Sequence, residues 1–141
     1  MGWDAFKQNP FLGSGPGTFR DIFSISNYAR LFEREGGTNR RFAHNTYLEV
    51  LVGTGFMGLL IFFLILWRAL RNFHLARRYF QLFNNEEMVS MIRAYQLSFI
   101  SLLIYLLMFS NTYHKYLLLS FALSQVALRL SRNTPEGERL E

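Results

Sequence analysis

His44 is the residue whose type and position best suit acid–base chemistry in this sequence. It lies two residues before Thr46, the predicted cap of a helix, and shortly after Arg40 and Arg41. The positive end of a helix dipole and neighbouring guanidinium groups both disfavour an imidazolium, so we expect a neutral ring. A neutral imidazole at a membrane surface can take a proton from a hydroxyl group, as a general base must. The competing interpretation is an ordinary surface histidine.

The other two histidines have less support. His74 lies in an arginine-rich segment, and His114 lies in a short polar break, where an interfacial position is the simpler interpretation. Three histidines this dispersed do not make a metal site, and the chain contains no cysteine for thiolate ligands or disulfides. We therefore expect neither a metal nor another cofactor.

Two glycine-rich stretches resemble phosphate-binding motifs. Gly53, Gly55 and Gly58 spell G-x-G-x-x-G, but a dinucleotide site also needs a βαβ unit and an acidic residue about 20 positions on, and this sequence has neither. We interpret these glycines as places where neighbouring membrane helices approach closely. The stretch GSGPG at 13–17 lacks the Gly-Lys-Ser/Thr of a Walker loop. It predicts a turn, with a backbone anion site as the alternative.

An apolar run from Val50 to Trp67 contains 18 residues without a charge. As a helix it would extend ~27 Å, close to the ~30 Å thickness of the hydrocarbon layer. Thr46 and Glu49 have the T-x-x-E spacing of a capping box, and Trp67 followed by Arg68 is typical of a membrane interface. The pattern predicts a transmembrane helix.

The sequence therefore predicts an all-α integral membrane protein with about three transmembrane helices. They are expected at about 47–67, 94–113 and 116–130. The last apolar run, 116–128, has only 13 residues and needs flanking cations that snorkel outward. Residues 68–93, with five arginines, are predicted as a cytoplasmic connector of helical character, and 131–141 as a disordered tail.

Residues 1–46 are predicted to form an extracytoplasmic, or periplasmic, segment with one or two short amphipathic helices. Eight basic residues lie on the side of 68–93 and the tail, and seven lie on the other side. The positive-inside rule thus barely decides the orientation, although charge density favours 68–93 as cytoplasmic. On that orientation the outer segment is rich in arginine, which suggests an anionic ligand.

The composition supports a membrane protein rather than a nucleic-acid-binding one. Half of the residues are hydrophobic, and the net charge is +5. The arginines fall in short groups between apolar runs instead of forming one stripe, so we expect no nucleic-acid partner. The N-terminus has no signal-peptide pattern, and we interpret the chain as a fragment of a larger polytopic bundle.

WDAFKQNPFLGSGPGTF, followed some 25 residues later by AHNTYLEVLVGTGFMGLL, resembles the C-terminal part of the O-antigen ligase and polymerase superfamily. SNTYHKYLLLSFALS resembles its last hairpin. Ala5 lies one position early for the Trp-x-x-Ala element of that family. The matching positions are Trp3, Asn9, Pro10, Leu12, Gly13, Gly15, Gly17 and Phe19, then His44, Asn45, Tyr47, Leu48, Gly55, Gly58 and Leu59.

The resemblance implies a multi-pass protein of the bacterial inner membrane that acts in lipopolysaccharide or exopolysaccharide biosynthesis. The implied donor is a glycan on undecaprenyl diphosphate, and the acceptor is a hydroxyl of a glycan, of lipid A-core or of another molecule, among membrane lipids. It gives His44 the role of catalytic base or diphosphate ligand. Arg20, Arg40, Arg41 and Asn45 become local candidates for substrate binding.

The resemblance also implies ten to twelve helices in a complete family member, so this chain is expected to be an incomplete glycosyltransferase. Ligation, polymerisation and protein glycosylation all fit the residues. One alternative is a small non-catalytic membrane protein that binds anionic lipid or a membrane partner. A channel or transporter subunit is the weaker alternative, because 50–67 and 94–113 are uncharged.

Overall fold

A computed structural model describes residues 2–24, 44–109 and 115–133. Within these ranges all regular structure is helical, as the sequence predicted. The helices are α1 (Gly2–Gln8), α2 (Phe19–Ser24), α3 (Thr46–Leu82), α4 (Glu86–Met108) and α5 (Lys115–Arg132).

Helix α3 continues well beyond the apolar run that predicted it. It has 37 residues, equivalent to ~55 Å of helix at 1.5 Å per residue. The segment 68–93, predicted as a connector, is helical except at residues 83–85. After that turn, the side-chain oxygen of Asn85 accepts a hydrogen bond from Met88 N–H at 3.1 Å and caps α4.

Two helices in the described part of the chain, α3 and α4, are long and apolar enough to cross a membrane. Large apolar side chains of α3 are exposed, as lipid-facing residues would be: Phe56, Met57, Leu60, Ile61, Phe63, Leu64, Ile65 and Trp67. Helix α5 forms over 18 residues but is not among the apolar spans, because those residues include the three cations Lys115, Arg129 and Arg132. The structure thus supports two of the three expected spans.

The chain divides into two compact units, of which the first combines Met1–Phe63 with Tyr105–Thr112. Its described core is centred on Phe19 and Val52, which are buried, and Phe6, Ile22 and Leu48 pack against them. The apolar faces of α1 and α2 therefore lie against the first turns of α3.

The second unit combines Leu64–Ile104 with Tyr113–Glu141. Its buried apolar α3 residues recur at alternating spacings of three and four, which is the pattern of a helix with one core face. Phe99 of α4 lies 6.1 Å from Phe73 and 6.1 Å from Phe121 of α5, measured between ring centroids. The buried apolar α3 residues are Leu66, Ala69, Phe73, Ala76 and Phe80, and the polar Asn72 is buried beside them.

Candidate functional site

Helix α3 is broken at Gly55, whose φ of 67° and ψ of −168° are not helical. In a continuous helix Phe56 N–H would donate to Val52 C=O, and Met57 N–H would donate to Gly53 C=O. The break frees all four groups. Unpaired backbone groups are costly at membrane depth, so they require other partners.

The loop between α1 and α2 accepts hydrogen bonds from the two freed N–H groups. Phe56 N–H donates to the carbonyl of Pro10 at 2.8 Å, and Met57 N–H donates to the carbonyl of Phe11 at 3.4 Å. Proline has no N–H of its own, but its carbonyl remains an acceptor. This loop, residues 9–18, is called the inserted loop below.

The inserted loop also donates to the two freed acceptors. Ser14 N–H donates to Val52 C=O and Gly15 N–H donates to Gly53 C=O, both at 2.9 Å. Two hydrogen bonds of the helix are thus replaced by four between the helix and the loop. The break is closed by backbone groups alone.

Two glycines make this close approach sterically possible. Gly13 has φ 71°, and a Cβ built on it would lie 2.5 Å from backbone atoms of Gly53 and Gly55. A Cβ on Gly55 would collide with the carbonyl oxygen of Phe11. Any larger residue at either position would force the two backbones apart.

These contacts correct the interpretation of the first glycine stretch and distinguish the two interpretations of the second, a turn and an anion site. Gly53 and Gly55 do permit a close backbone approach, but the partner is the inserted loop and not a neighbouring helix. In the stretch 13–17, the N–H groups of Ser14 and Gly15 donate to helix carbonyls. Those two groups are therefore not available to an anion.

The first turn of α3 is capped by Asn45. Its side-chain oxygen accepts from Leu48 N–H at 3.1 Å, and its backbone carbonyl accepts from Glu49 N–H at 3.1 Å. The capping box expected at Thr46 and Glu49 is wrong, because Thr46 is already the first helical residue and Glu49 N–H donates to the backbone carbonyl of Asn45. Asn45, a candidate for substrate binding, uses its side-chain oxygen for this cap.

Thr46 instead connects two helices. It is fully buried, and its hydroxyl donates to the carbonyl oxygen of Phe109 at 2.6 Å. Phe109 directly follows α4, where helix carbonyls lack intrahelical donors. The hydroxyl therefore ties the start of α3 to the end of α4, a contact that sequence alone did not predict.

His44 lies at this anchored end of α3. Its side chain is exposed, and its φ of 51° is left-handed, an uncommon conformation for a residue other than glycine. Such conformations concentrate at functional sites. The next two residues, Asn45 and Thr46, are held by the helix cap and by the hydrogen bond to Phe109. The backbone that carries the imidazole is therefore fixed at the N-terminal end of the helix.

The remaining site candidates fall outside what the structure describes. Arg20 is within α2, but its side chain is not among the described ones, and Arg40 and Arg41 lie in the undescribed range 25–43. The structure therefore places His44 and Asn45 side by side at the helix start. The grouping of the three arginines around them stays a prediction.

Replacing Thr46 with valine should weaken the connection between α3 and α4. The change preserves shape but removes the hydrogen bond to the Phe109 carbonyl, whose net contribution to stability is about 0.5–1.5 kcal/mol. Thr54→Val is the matched control, because the Thr54 hydroxyl bonds only the Val50 carbonyl of its own helix, at 2.7 Å. Thermal unfolding in detergent should show the larger loss for T46V, with T46S near wild type; equal losses for T46V and T54V would contradict the tie.

The fold and site define a helical protein with two helices long and apolar enough to cross a membrane, in which a glycine-rich loop closes a broken helix and an exposed histidine precedes that helix. The O-antigen ligase family model matches residues 1–63, and proteins of this family are membrane-associated. The resemblance predicted from the two motifs is confirmed over that segment, which contains the inserted loop, the break at Gly55 and His44. No curated protein and no solved structure matches the chain.

Proposed function

We propose that this chain forms the C-terminal part of a metal-independent membrane glycosyltransferase. It would move a glycan from undecaprenyl diphosphate to an acceptor hydroxyl at the outer face of the bacterial inner membrane. The observation that carries the proposal is the exposed His44 at the capped and anchored start of α3, inside the segment that matches the O-antigen ligase family.

His44 acts as the general base in the proposed reaction. One ring nitrogen of His44 takes the proton of the acceptor hydroxyl while that oxygen bonds to the anomeric carbon of the donor glycan. The bond between the anomeric carbon and the diphosphate oxygen breaks, and undecaprenyl diphosphate leaves with the negative charge. Arg20, Arg40 and Arg41 neutralise this charge through charge-assisted hydrogen bonds.

The proposed topology places this chemistry outside the cell interior. Helices α3 and α4 cross the inner membrane, α5 crosses as a third, shorter span, and the turn at 83–85 is cytoplasmic. Residues 1–46 then lie at the outer face, where His44 meets the lipid-linked donor. The break at Gly55 lies ~14 Å along the helix from Thr46, so the inserted loop reaches into the protein at membrane depth.

The test is an in-frame deletion at the chromosomal locus, which also affects any longer product that contains the chain. We expect undecaprenyl-diphosphate-linked glycan to accumulate while acceptor-linked glycan falls, measured by thin-layer chromatography of lipid extracts and by gel analysis of lipopolysaccharide. Loss of long chains from lipid A-core would indicate ligation, and chains reduced to single repeats would indicate polymerisation. Unchanged glycans would refute the transferase and favour a non-catalytic membrane protein.

A further inference from the structure

Three arginines form one exposed stripe on the second half of α3. Arg68, Arg71 and Arg78 are all exposed, and at 3.6 residues per turn they fall within an arc of about 80°. Phe73 and Ala76 are fully buried on the opposite side of the same helix. We call Arg68, Arg71 and Arg78 the arginine stripe.

The arginine stripe begins where the exposed apolar surface of α3 ends. Leu64 is 57% exposed and Trp67 is 66% exposed, and Arg68 follows directly. Exposed tryptophan at the end of an apolar run is typical of the headgroup level of a bilayer. From there the stripe extends ~15 Å along the helix axis.

No carboxylate in the sequence of this region balances the charge. Between Glu49 and Glu86 the chain contains four arginines and no acidic residue. A guanidinium group is always charged, and its planar donors match the geometry of a phosphate. The stripe is thus complementary to phosphate groups that lie just outside a hydrocarbon layer.

We propose that the arginine stripe binds the headgroups of anionic phospholipids in the leaflet at the Trp67 end of the apolar run. The occupant follows from two features together, the uncompensated charge and its continuity with exposed apolar side chains that reach acyl-chain depth. One basic residue near an anionic surface changes lipid affinity by roughly fivefold. This site is separate from His44 and does not depend on glycan transfer.

Trp67 can report on this lipid contact directly. The chain has two tryptophans, Trp3 and Trp67, so Trp3→Phe leaves a single reporter at the start of the stripe. The 141-residue chain is reconstituted in phosphatidylcholine vesicles that contain either dibrominated phosphatidylglycerol or dibrominated phosphatidylcholine at equal mole fractions. We expect Trp67 quenching to reveal at least about a fivefold preference for phosphatidylglycerol.

The preference should depend on the stripe and not on total charge. Arg68→Gln, Arg71→Gln and Arg78→Gln combined should abolish it. The control triple Arg93→Gln, Arg129→Gln and Arg132→Gln removes equal charge from exposed positions of α4 and α5 and should retain it. Equal quenching by both lipids in the Trp3→Phe protein, or an equal loss in both triples, would overturn the proposal.

Two measurements need no change to the stripe itself. At 1 M salt the screening length falls to about 3 Å, so the preference should shrink in the Trp3→Phe protein. Millimolar inorganic phosphate, by contrast, should leave it in place. A preference insensitive to salt, or one removed by free phosphate, would contradict a site for lipid headgroups.

Discussion

Replacing Gly13 with alanine should release the inserted loop from α3, whereas the same change at Gly17 should be mild. Both glycines have positive φ, 71° and 79°, so each variant carries backbone strain of about 1–2 kcal/mol. Only the Gly13 variant adds a clash, because its Cβ would lie 2.5 Å from backbone atoms of Gly53 and Gly55. A Cβ on Gly17 has no heavy-atom neighbour within 4 Å. The pair therefore separates close packing from backbone strain.

The expected additional loss for Gly13→Ala is large because backbone atoms cannot rotate away as a side chain can. If the loop withdraws, the four hydrogen bonds across the break are lost, at about 1 kcal/mol net for each. Thermal unfolding in detergent should then show G13A destabilised by about 4 kcal/mol more than G17A. Limited proteolysis should cut the loop of G13A first. Equal unfolding midpoints for G13A and G17A would show that the loop does not depend on this contact.

The broken helix explains why two distant motifs belong to one segment of the family match. NPFLGSG supplies the carbonyls of Pro10 and Phe11 and the N–H groups of Ser14 and Gly15, and VGTGFM supplies their partners. Without the other motif, each motif would lose the hydrogen-bond partners of these four backbone groups. Since Thr46 and Asn45 begin the same helix, the closure of the break also supports the element that carries His44.

Local signals predicted the start of α3 but not its interior. Val50 to Trp67 is apolar over a bilayer's thickness, and this property can be counted in one stretch of sequence. The break at Gly55 depends on carbonyls about 45 positions earlier, at Pro10 and Phe11. The same glycines fit a helix–helix contact equally well by spacing alone. Only the positions of both segments in the structure distinguish a contact with a neighbouring helix from a contact with the inserted loop.

The capping pattern misled, whereas the charge pattern predicted a connector of helical character without showing that α3 itself continues into it. Arginines after Trp67 mark where the apolar surface ends, but arginine, leucine and alanine also favour helix, so α3 continues to Leu82. At the other end, Thr46 and Asn45 are both good capping residues, and the sequence does not rank them. The structure uses Asn45 as the cap and buries Thr46 against the end of α4, a contact between residues 63 positions apart.

Changing His44 to alanine at the chromosomal locus should lower glycan transfer by about 10²–10⁴-fold, the usual contribution of a general base. Lipid-linked donor should accumulate while the amount of protein in the membrane stays the same, because an exposed side chain contributes little to folding. His74→Ala is the matched control. His74 belongs to the second unit, where its Nδ1 lies 3.5 Å from Nη2 of Arg77, and its loss should leave transfer near wild type. Equal transfer in H44A and wild type would remove His44 from the mechanism.

The same role requires position 44 to face the outer side of the membrane, and the absence of cysteine makes this measurable. His44→Cys in intact spheroplasts should react with a membrane-impermeant maleimide, because the side chain is exposed at the start of α3. Asn84→Cys, in the exposed turn between α3 and α4, should react only after permeabilisation. Because the lipid-linked donor and the base must share a compartment, labelling of position 44 only after permeabilisation would separate them and exclude the proposed reaction.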